Sequence, residues 1–177
     1  MNEPMSEAPV PLNVAVLTIS DTRTEDTDKS GRTLVERATA AGHQVVAKRI
    51  VKDDVYCIRA IVAGWIADPD VQVVLTTGGT GFTGRDSTPE AVTVLLDKEV
   101  QGFGERFRQL SGDEIGSSTV QSRAFGGLAN GCVIFCLPGS TGACCTGWDG
   151  ILAEQLDSRH KPCNFASLVI PGRGQHG

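Results

Sequence analysis

The sequence predicts a single α/β domain, a three-layer α/β/α sandwich around a mostly parallel sheet. Short apolar runs, typical of strands buried on both faces, alternate along the chain with segments of helical spacing. The length of 177 residues suits one domain. Hydrophobic residues make up 40% of the chain and charged residues 21%, which is the balance of a globular protein with a packed core.

The first half of the chain predicts strand, helix, strand and helix. Residues 14–19 (VAVLTI) form a nearly unbroken apolar run, which indicates the first strand. Residues 34–41 carry apolar side chains at helical spacing, and Gly42 follows as a C-terminal cap. Residues 44–51 (QVVAKRIV) alternate in part and indicate the second strand. A second helix with one apolar stripe is predicted over residues 58–66.

The third predicted strand leads into a glycine-rich loop. Residues 71–76 (VQVVLT) form the strand, and residues 77–87 (TGGTGFTGRDS) contain four glycines. Pro89 suits the first turn of the next helix, for which Ser87 or Thr88 is the expected cap.

The second half of the chain has fewer clear signals. Residues 103–110 have the spacing of a short helix, and residues 133–137 (VIFCL) predict a fourth buried strand. Helical spacing returns over residues 148–156. Residues 111–130 fit no element, so the sheet is predicted with four strands.

Both ends of the chain are expected to lie outside the domain, because they are rich in Pro, Gly and polar residues. We expect a flexible lead over residues 1–11, the domain over residues 12–165 and a C-terminal tail over residues 166–177.

Composition and charge exclude several classes of function. Sixteen Lys and Arg against 21 Asp and Glu give a net charge of −5, which excludes a basic nucleic-acid-binding surface. No apolar run approaches the roughly 20 residues of a membrane-spanning helix, and no secretory signal is evident, so we expect a cytoplasmic protein. The six cysteines are expected to be reduced thiols, and neither they nor the three histidines have the spacing of a zinc site.

The candidate site lies at the carboxyl ends of the predicted strands, where α/β sheets bind ligands. Gly78, Gly79 and Gly81 follow the third strand, and backbone without Cβ atoms can surround an anion, so we expect a phosphate-binding loop. The loop is not a Walker A motif, because Arg85 and Asp86 stand where that motif needs Lys and Ser or Thr. A glycine-rich turn without a ligand is the alternative.

Asp53 and Asp86 follow the second and third strands, and both carboxylates face one cleft if those strands are neighbours. At an effective dielectric constant of about 20, a carboxylate beside a triphosphate is repelled by about 4 kcal/mol per pair of unit charges at about 4 Å. A Mg²⁺ ion held by both aspartates is therefore expected. The alternatives are a cap of the following helix for Asp53 and an ion pair with Arg85 for Asp86.

The start of the last helix carries two more candidates. Ser140 and Thr141 follow a Pro-Gly pair and either cap this helix or bind an anion. Cys144 and Cys145 lie one turn further on and are expected to be buried thiols, because no histidine partner for a nucleophile is evident.

Several motifs together resemble one known family, the molybdenum cofactor biosynthesis proteins of the MoaB/MogA type. The resemblance runs from about residue 12 to residue 165, and the MoaB branch is the more similar. The motifs are Thr18-Ile19-Ser20-Asp21, Thr76-Thr77-Gly78-Gly79-Thr80-Gly81, Arg85-Asp86-Ser87-Thr88-Pro89-Glu90-Ala91, Gly102-Phe103-Gly104-Glu105 and Leu137-Pro138-Gly139-Ser140, with Glu114-Ile115-Gly116 and Gln121-Ser122-Arg123 pointing to the MoaB branch.

The resemblance implies a molybdopterin-binding fold, assembly into homotrimers or homohexamers, and molybdopterin as a ligand. The catalytic branch of the family adenylylates molybdopterin with Mg-ATP and releases pyrophosphate. The two catalytic aspartates of that branch correspond to Asp53 and Asp86, which are also the expected magnesium ligands. The remaining substrate-binding and nucleotide-binding positions are Ser20, Asp21, Thr77, Gly78, Gly79, Thr80, Gly81 and Ser140, to which we add Arg85 because of its charge.

Two details of the resemblance point in different directions. Some members of the MoaB branch lack the aspartate of the Arg-Asp-x-Thr-Pro element and are inactive as adenylyltransferases, whereas this chain keeps Asp86. The catalytic branch usually has a second proline where this chain has residues 137–141 (LPGST). We expect an adenylyltransferase. The alternatives are a molybdopterin-binding protein without catalysis and an assembly module that recruits other proteins of the cofactor pathway.

Overall fold

Six strands form one sheet in the computed structural model, which describes residues 8–170. The strands are β1 (Asn13–Ile19), β2 (Gln44–Val51), β3 (Val73–Thr77), β4 (Lys98–Glu99), β5 (Phe125–Ala129) and β6 (Cys132–Leu137). Their order across the sheet is β2-β1-β3-β6-β5-β4. The strands β2, β1, β3 and β6 are parallel, and β5 runs antiparallel to both of its neighbours.

Helices connect the strands and cover both faces of the sheet. They are α1 (Lys29–Ala40), α2 (Val55–Ala67), α3 (Thr88–Val92), α4 (Gln101–Ile115), α5 (Thr141–Gly147), α6 (Ala153–Gln155) and α7 (Ala166–Val169). A 3₁₀ turn (Gly116–Gln121) follows α4, and a π-helical turn (Trp148–Leu152) joins α5 to α6.

The sheet separates two apolar layers, because successive side chains of a strand point to opposite faces. Along β1, Val14 and Val16 belong to the layer that contains buried side chains of α1, α4 and α5. Ala15 and Leu17 belong to the layer that contains buried side chains of α2 and α3. The predicted three-layer fold with a mostly parallel sheet is confirmed.

Two strands were absent from the sequence prediction, so the expected four strands are corrected to six. β5 contains Gly126 and Gly127, which lack the side chains that make strand patterns visible. It forms a hairpin with β6 through Asn130 and Gly131, both at positive φ (49° and 72°). An Asn-Gly pair before an apolar run is a strong hairpin signal, and it is the feature of the sequence that indicates β5.

The packed domain also continues beyond residue 165. Ala166 and Val169 of α7 are almost fully buried in the layer that contains α1, so residues 166–170 belong to the domain and not to a tail. The predicted lead and tail otherwise fall largely on residues 1–7 and 171–177, which lie outside the described residues. Within the part of the chain that the structure describes, no helix is long and apolar enough to span a membrane.

A buried aspartate fixes α1 to the carboxyl end of β1. Asp28 is fully buried and accepts hydrogen bonds from Gly31 N (2.9 Å) and from Thr18 Oγ1 (2.7 Å). Lys48 of β2 forms an ion pair with the same carboxylate at 3.0 Å. Because Thr18 lies two residues before Ser20, these contacts hold the first loop of the candidate site in place.

Candidate functional site

A cleft of about 440 Å³ opens at the carboxyl ends of β1, β3 and β6. Its volume falls in the range typical of small-molecule sites. The structure brings together nine of the eleven residues predicted from the sequence, and all nine line this cleft: Ser20, Asp21, Asp53, Gly78, Gly79, Thr80, Gly81, Asp86 and Ser140.

The other two predicted residues lie outside the lining of the cleft. Thr77 is fully buried, and its Oγ1 donates a hydrogen bond to Pro138 O at 2.9 Å, so its hydroxyl holds the loop after β6. Arg85 is exposed and donates two hydrogen bonds to the carboxylate of Asp21, at 2.6 and 2.9 Å. The guanidinium group of Arg85 lowers the pKa of Asp21, assisted by a hydrogen bond from Asp53 N.

The loop after β3 requires glycine at two positions. Gly78 and Gly79 have positive φ angles of 104° and 70°, and a Cβ atom on Gly78 would lie 2.2 Å from Ile19 O. Among the described residues, the N–H groups of Gly79 and Thr80 have no hydrogen-bond acceptor. Two backbone donors in the lining of the cleft are therefore available to an anionic ligand.

Asp53 lies in the cleft and does not cap a helix. Its Oδ1 accepts a hydrogen bond from Ser87 N at 2.9 Å, which links the loop after β2 to the start of α3. The cap of α2 is the next residue, Asp54, whose Oδ1 accepts from Tyr56 N (3.0 Å) and Cys57 N (2.9 Å). The cap alternative for Asp53 is therefore wrong.

Asp86 is held by its own loop and not by Arg85. Its Oδ2 accepts hydrogen bonds from Thr83 N at 2.9 Å and from Thr83 Oγ1 at 2.7 Å. Because Arg85 pairs with Asp21 instead, the alternative of an ion pair between Arg85 and Asp86 is also wrong. Ser87 precedes α3, but its side chain makes no capping hydrogen bond, and Thr88 Oγ1 donates to Gly78 O (2.8 Å).

The two aspartates approach the same loop although their strands are not neighbours. β1 lies between β2 and β3, and the loops that follow these strands meet beyond its end. A Cβ atom on Gly79 would lie 3.0 Å from Asp53 Oδ2, and one on Gly81 would lie 2.7 Å from Asp86 Oδ2. Both carboxylates therefore lie against one short stretch of backbone, at positions two residues apart.

The two carboxyl groups differ in the direction of their pKa shifts. Burial raises the pKa of Asp53. Hydrogen bonding from Ser87 lowers this pKa in part, and the charges of Asp86 and Asp21 raise it again, so that it stays above its ordinary value. Burial is also the largest influence on Asp86, but hydrogen bonds from Thr83 outweigh it and bring the pKa of Asp86 below its ordinary value. Three aspartates share the cleft, so a bound cation would relieve their mutual repulsion.

These aspartates fit a magnesium ion that is shared with a phosphate ligand. Among residues 8–170, no three His, Cys, Asp or Glu side chains form a ready metal cluster. Mg²⁺ commonly uses one or two protein carboxylates together with substrate phosphates and water. Asp53 and Asp86 supply that donor set, and the unfavourable environment of the Asp53 carboxylate fits the same interpretation.

Replacing Asp54 by alanine tests whether Asp54 caps α2 while Asp53 belongs to the cleft. The substitution removes two hydrogen bonds from the start of α2, so we expect a loss of about 1 kcal/mol in the free energy of unfolding. Because Asp54 is not part of the cleft lining, the affinity for Mg-ATP should remain that of the unmodified protein. Urea unfolding measures the stability, and calorimetric titration with Mg-ATP measures the affinity. A large loss of affinity would contradict the assignment of Asp54 to the helix and Asp53 to the site.

A second wall of the cleft was absent from the sequence prediction. It comes from α4 and the 3₁₀ turn after it. The residues on this wall are Phe107, Ser111, Ile115, Ser118, Gln121 and Ser122.

Ser111 on this wall and Thr80 opposite it present unused hydroxyl groups. Both residues are more than nine-tenths buried, and among the described residues neither hydroxyl has a hydrogen-bond partner. Ser111 continues the row of buried side chains begun by Phe103 and Phe107 at intervals of four residues, which is the signal that could have placed it here. Both hydroxyls are available to a polar ligand.

The start of α5 completes the rim of the cleft. Ser140 Oγ accepts a hydrogen bond from Ala143 N at 3.1 Å, so Ser140 caps this helix while it lines the cleft. Cys144 is fully buried, and burial raises the pKa of its thiol to about 11. Cys145 is partly buried, and all six cysteines are free thiols. A thiol with the pKa of Cys144 is protonated at neutral pH, which fits a structural role.

Comparisons with known proteins identify a family for this chain. A family model described as a probable molybdopterin binding domain matches residues 15–158. Molybdenum cofactor biosynthesis protein B of Escherichia coli K12 is 57% identical over 156 residues, which cover 88% of this chain and 92% of that protein.

Solved structures give the same result. A crystal structure of a molybdenum cofactor biosynthesis protein B has a TM-score of 0.84 and 45% identity, and the match covers 93% of this chain and 98% of that one. The tungsten cofactor synthesizing protein MoaB from Pyrococcus furiosus has a TM-score of 0.72 and 40% identity, with coverage of 83% and 94%.

Proposed function

This chain belongs to the family of molybdenum cofactor biosynthesis proteins, and we propose that it adenylylates molybdopterin with Mg-ATP. An oxygen of the terminal phosphate of molybdopterin attacks the α-phosphorus of ATP. The bond from the α-phosphorus to the oxygen that bridges to the β-phosphorus breaks, and pyrophosphate leaves with the bonding electrons. The product carries AMP on the phosphate of the pterin.

The observation that supports this reaction best is the convergence of Asp53 and Asp86 on the glycine loop. A site that only bound an anion would gain nothing from two carboxylates beside it, since each repels phosphate. Both are present, and burial and the neighbouring carboxylates raise the pKa of Asp53. Sites that perform chemistry commonly retain such unfavourable groups.

The residues of the cleft have separate roles in this proposal. The free N–H groups of Gly79 and Thr80 receive phosphate oxygens, and the hydroxyls of Thr80 and Ser111 supply further hydrogen bonds. Asp53 and Asp86 orient the reacting phosphates, so the reaction gains mainly from positioning and charge stabilisation. Arg85 lies outside the cleft lining and pairs with Asp21, so its charge offsets the repulsion between that carboxylate and an incoming phosphate.

Asp53 and Asp86 are the residues that would hold magnesium. The ion would neutralise charge that develops on the phosphate oxygens during transfer. The carboxylates themselves remain ionised acceptors, and no proton transfer at the attacking phosphate is required of them.

A molybdopterin-binding protein without catalysis is the second candidate, and one feature of the site favours it. Asp86 accepts two hydrogen bonds from Thr83, and Asp53 accepts one from Ser87. Both carboxylates therefore also shape their loops, and in a binding protein that structural contribution would be their role. Binding of the pterin without turnover would identify this function.

The resemblance also supports proposals on assembly and location. We propose a homotrimer or homohexamer that works in the cytoplasm and meets other proteins of the cofactor pathway there. Light scattering of the purified protein measures the number of copies, and a monomer would contradict the proposed assembly.

Pyrophosphate release tests the proposed reaction. The protein is mixed with ATP and magnesium, with and without molybdopterin, and pyrophosphate is followed in a coupled assay. We expect release only when the pterin and magnesium are both present. Release that is independent of the pterin would indicate hydrolysis of ATP and contradict the proposal, as would the absence of release when the pterin is bound.

A further inference from the structure

Arg123 donates three hydrogen bonds to the glycine-rich loop. It lies between the 3₁₀ turn after α4 and β5, and its side chain is 25% exposed. Its Nε donates to Gly81 O and its Nη2 donates to Asp86 O, both at 2.9 Å. Its backbone N donates to Thr80 O at 3.0 Å. One residue therefore binds the carbonyl groups at both ends of the segment that carries Asp86.

The rest of the guanidinium group is engaged with the same part of the chain. Its Nη1 forms a short ion pair with Glu90 of α3, the helix that follows the loop. The exposed ring of Phe82 lies against the guanidinium, with its centroid 5.0 Å from Cζ. Three nitrogen atoms in a rigid plane reach three acceptors, which a lysine ammonium group cannot reproduce.

Arg123 acts on the loop from outside the cleft. It lines a separate cavity of about 330 Å³ together with Pro89, Arg108 and Gly126, and it is not among the residues that line the cleft. Within the segment from Gly81 to Asp86, the Asp86 carboxylate accepts a hydrogen bond from Thr83. The guanidinium of Arg123 binds the same segment from outside the cleft, at Gly81 O and Asp86 O. Residues 82–85 between these anchors are exposed.

We propose that Arg123 is the positioning residue for Asp86: it fixes the segment from Gly81 to Asp86 so that the Asp86 carboxylate is held in the cleft. This inference rests on the proposed adenylylation for its effect on turnover. Without the guanidinium, two carbonyl groups lose a charged donor, and the segment retains fewer anchors to the rest of the domain. A displacement of about 1 Å in a reacting group lowers turnover by about 10²-fold.

The matched control for Arg123 is Arg59. This arginine also donates to two backbone carbonyls, those of Glu90 and Ala91, both at 3.1 Å. It approaches α3 from α2 and forms no hydrogen bond with the segment from Gly81 to Asp86. Arg59→Ala therefore removes a comparable pair of hydrogen bonds from α3 and none from the segment that carries Asp86.

The test compares Arg123→Ala, Arg123→Lys and Arg59→Ala in the full chain. For both Arg123 variants we expect kcat to fall by about 10²-fold, while KM for ATP changes by less than about threefold. Amides of residues 80–87 should exchange hydrogen about tenfold faster than in the unmodified protein, as expected for the loss of charged hydrogen bonds. Added guanidinium ion should restore part of the activity of Arg123→Ala. Arg59→Ala should change none of these quantities beyond its effect on global stability.

A double variant separates positioning from general damage. In the Asp86→Asn background, Arg123→Ala should lower kcat little further, because both changes act on the same carboxylate. Full additivity, equal effects of Arg59→Ala, or unchanged exchange over residues 80–87 would overturn the inference. Failure of the unmodified protein to adenylylate molybdopterin would overturn the proposed function instead, and the exchange measurement would then decide alone whether Arg123 orders the loop.

Discussion

Replacing Asp86 by asparagine is expected to lower the rate of molybdopterin adenylylation by about 10²–10³-fold, the usual cost of losing one charged group that stabilises a transition state. Asparagine keeps the size of the side chain and still accepts the hydrogen bond from Thr83 N, so the loop should keep its conformation. Only the charge beside Gly81 is lost. Single-turnover measurements of product formation give the rate directly.

The control for this substitution is Asp113→Asn, which neutralises a carboxylate that lines a different groove with Glu114 and Asp149. It should leave the rate unchanged. Asp86→Ala, which also removes the acceptor for Thr83, should abolish turnover, while folding and pterin binding remain largely intact. A fully active Asp86 variant would remove Asp86 from the catalytic machinery.

Asp53→Asn is expected to have two opposite effects, a loss of turnover of about 10²–10³-fold and a higher melting temperature at neutral pH. Burial raises the pKa of Asp53, so the folded chain binds this proton more tightly than the unfolded chain. As the pH rises from the ordinary value of 3.8 through the raised native pKa, this group makes the folded state progressively less stable. Asparagine removes that penalty and can still accept from Ser87 N.

The gain in melting temperature should therefore be present at pH 7 and disappear at a pH below the ordinary pKa of aspartate. Asp54→Asn is the neighbouring control. The pKa of Asp54 is lowered by its hydrogen bonds with Cys57, so its carboxylate stabilises the fold at neutral pH and this contribution is lost in acid. Calorimetry at both pH values distinguishes the two residues. A melting temperature for Asp53→Asn below that of the unmodified protein at pH 7 would mean that its charge supports the fold.

The parallel part of the fold could be predicted because strands buried on both faces consist mainly of apolar residues. β1, β3 and β6 are buried on both faces and appear as continuous apolar runs. β5 differs because its glycines make room for Phe135 and Leu96: a Cβ atom on Gly126 or Gly127 would approach those side chains to 2.8 Å or less. Its composition reflects tertiary packing, which a local pattern does not contain.

The candidate site could be anticipated where it depends on chain topology. Loops that follow parallel strands meet at one edge of the sheet, so Ser20, Asp53 and Asp86 could be placed together. The partner of each side chain could not be anticipated. Arg85 lies next to Asp86 in sequence yet pairs with Asp21, 64 residues away. Spacing also could not separate Asp53 from Asp54, because either residue could precede α2 as its cap.

The wall formed by α4 shows a second limit. Ser111 is the one polar side chain among the buried residues of α4, and nothing in its local sequence marks a ligand contact. Its role follows from the packing of α4 over the ends of the strands. In the sequence Arg123 stands out only as part of a motif, and its contacts with Gly81 and Asp86 depend on the same packing.

The transfer of AMP to the pterin tests the proposed function most directly. Purified protein in molar excess is mixed with molybdopterin and Mg-ATP labelled at the α-phosphorus, and the pterin and pyrophosphate are quantified after separation. The proposed reaction predicts that label appears on the pterin in the same molar amount as the released pyrophosphate, and that both form about 10²–10³-fold more slowly with Asp86→Asn. Pterin that binds to the protein but remains unlabelled would contradict it and identify a binding protein.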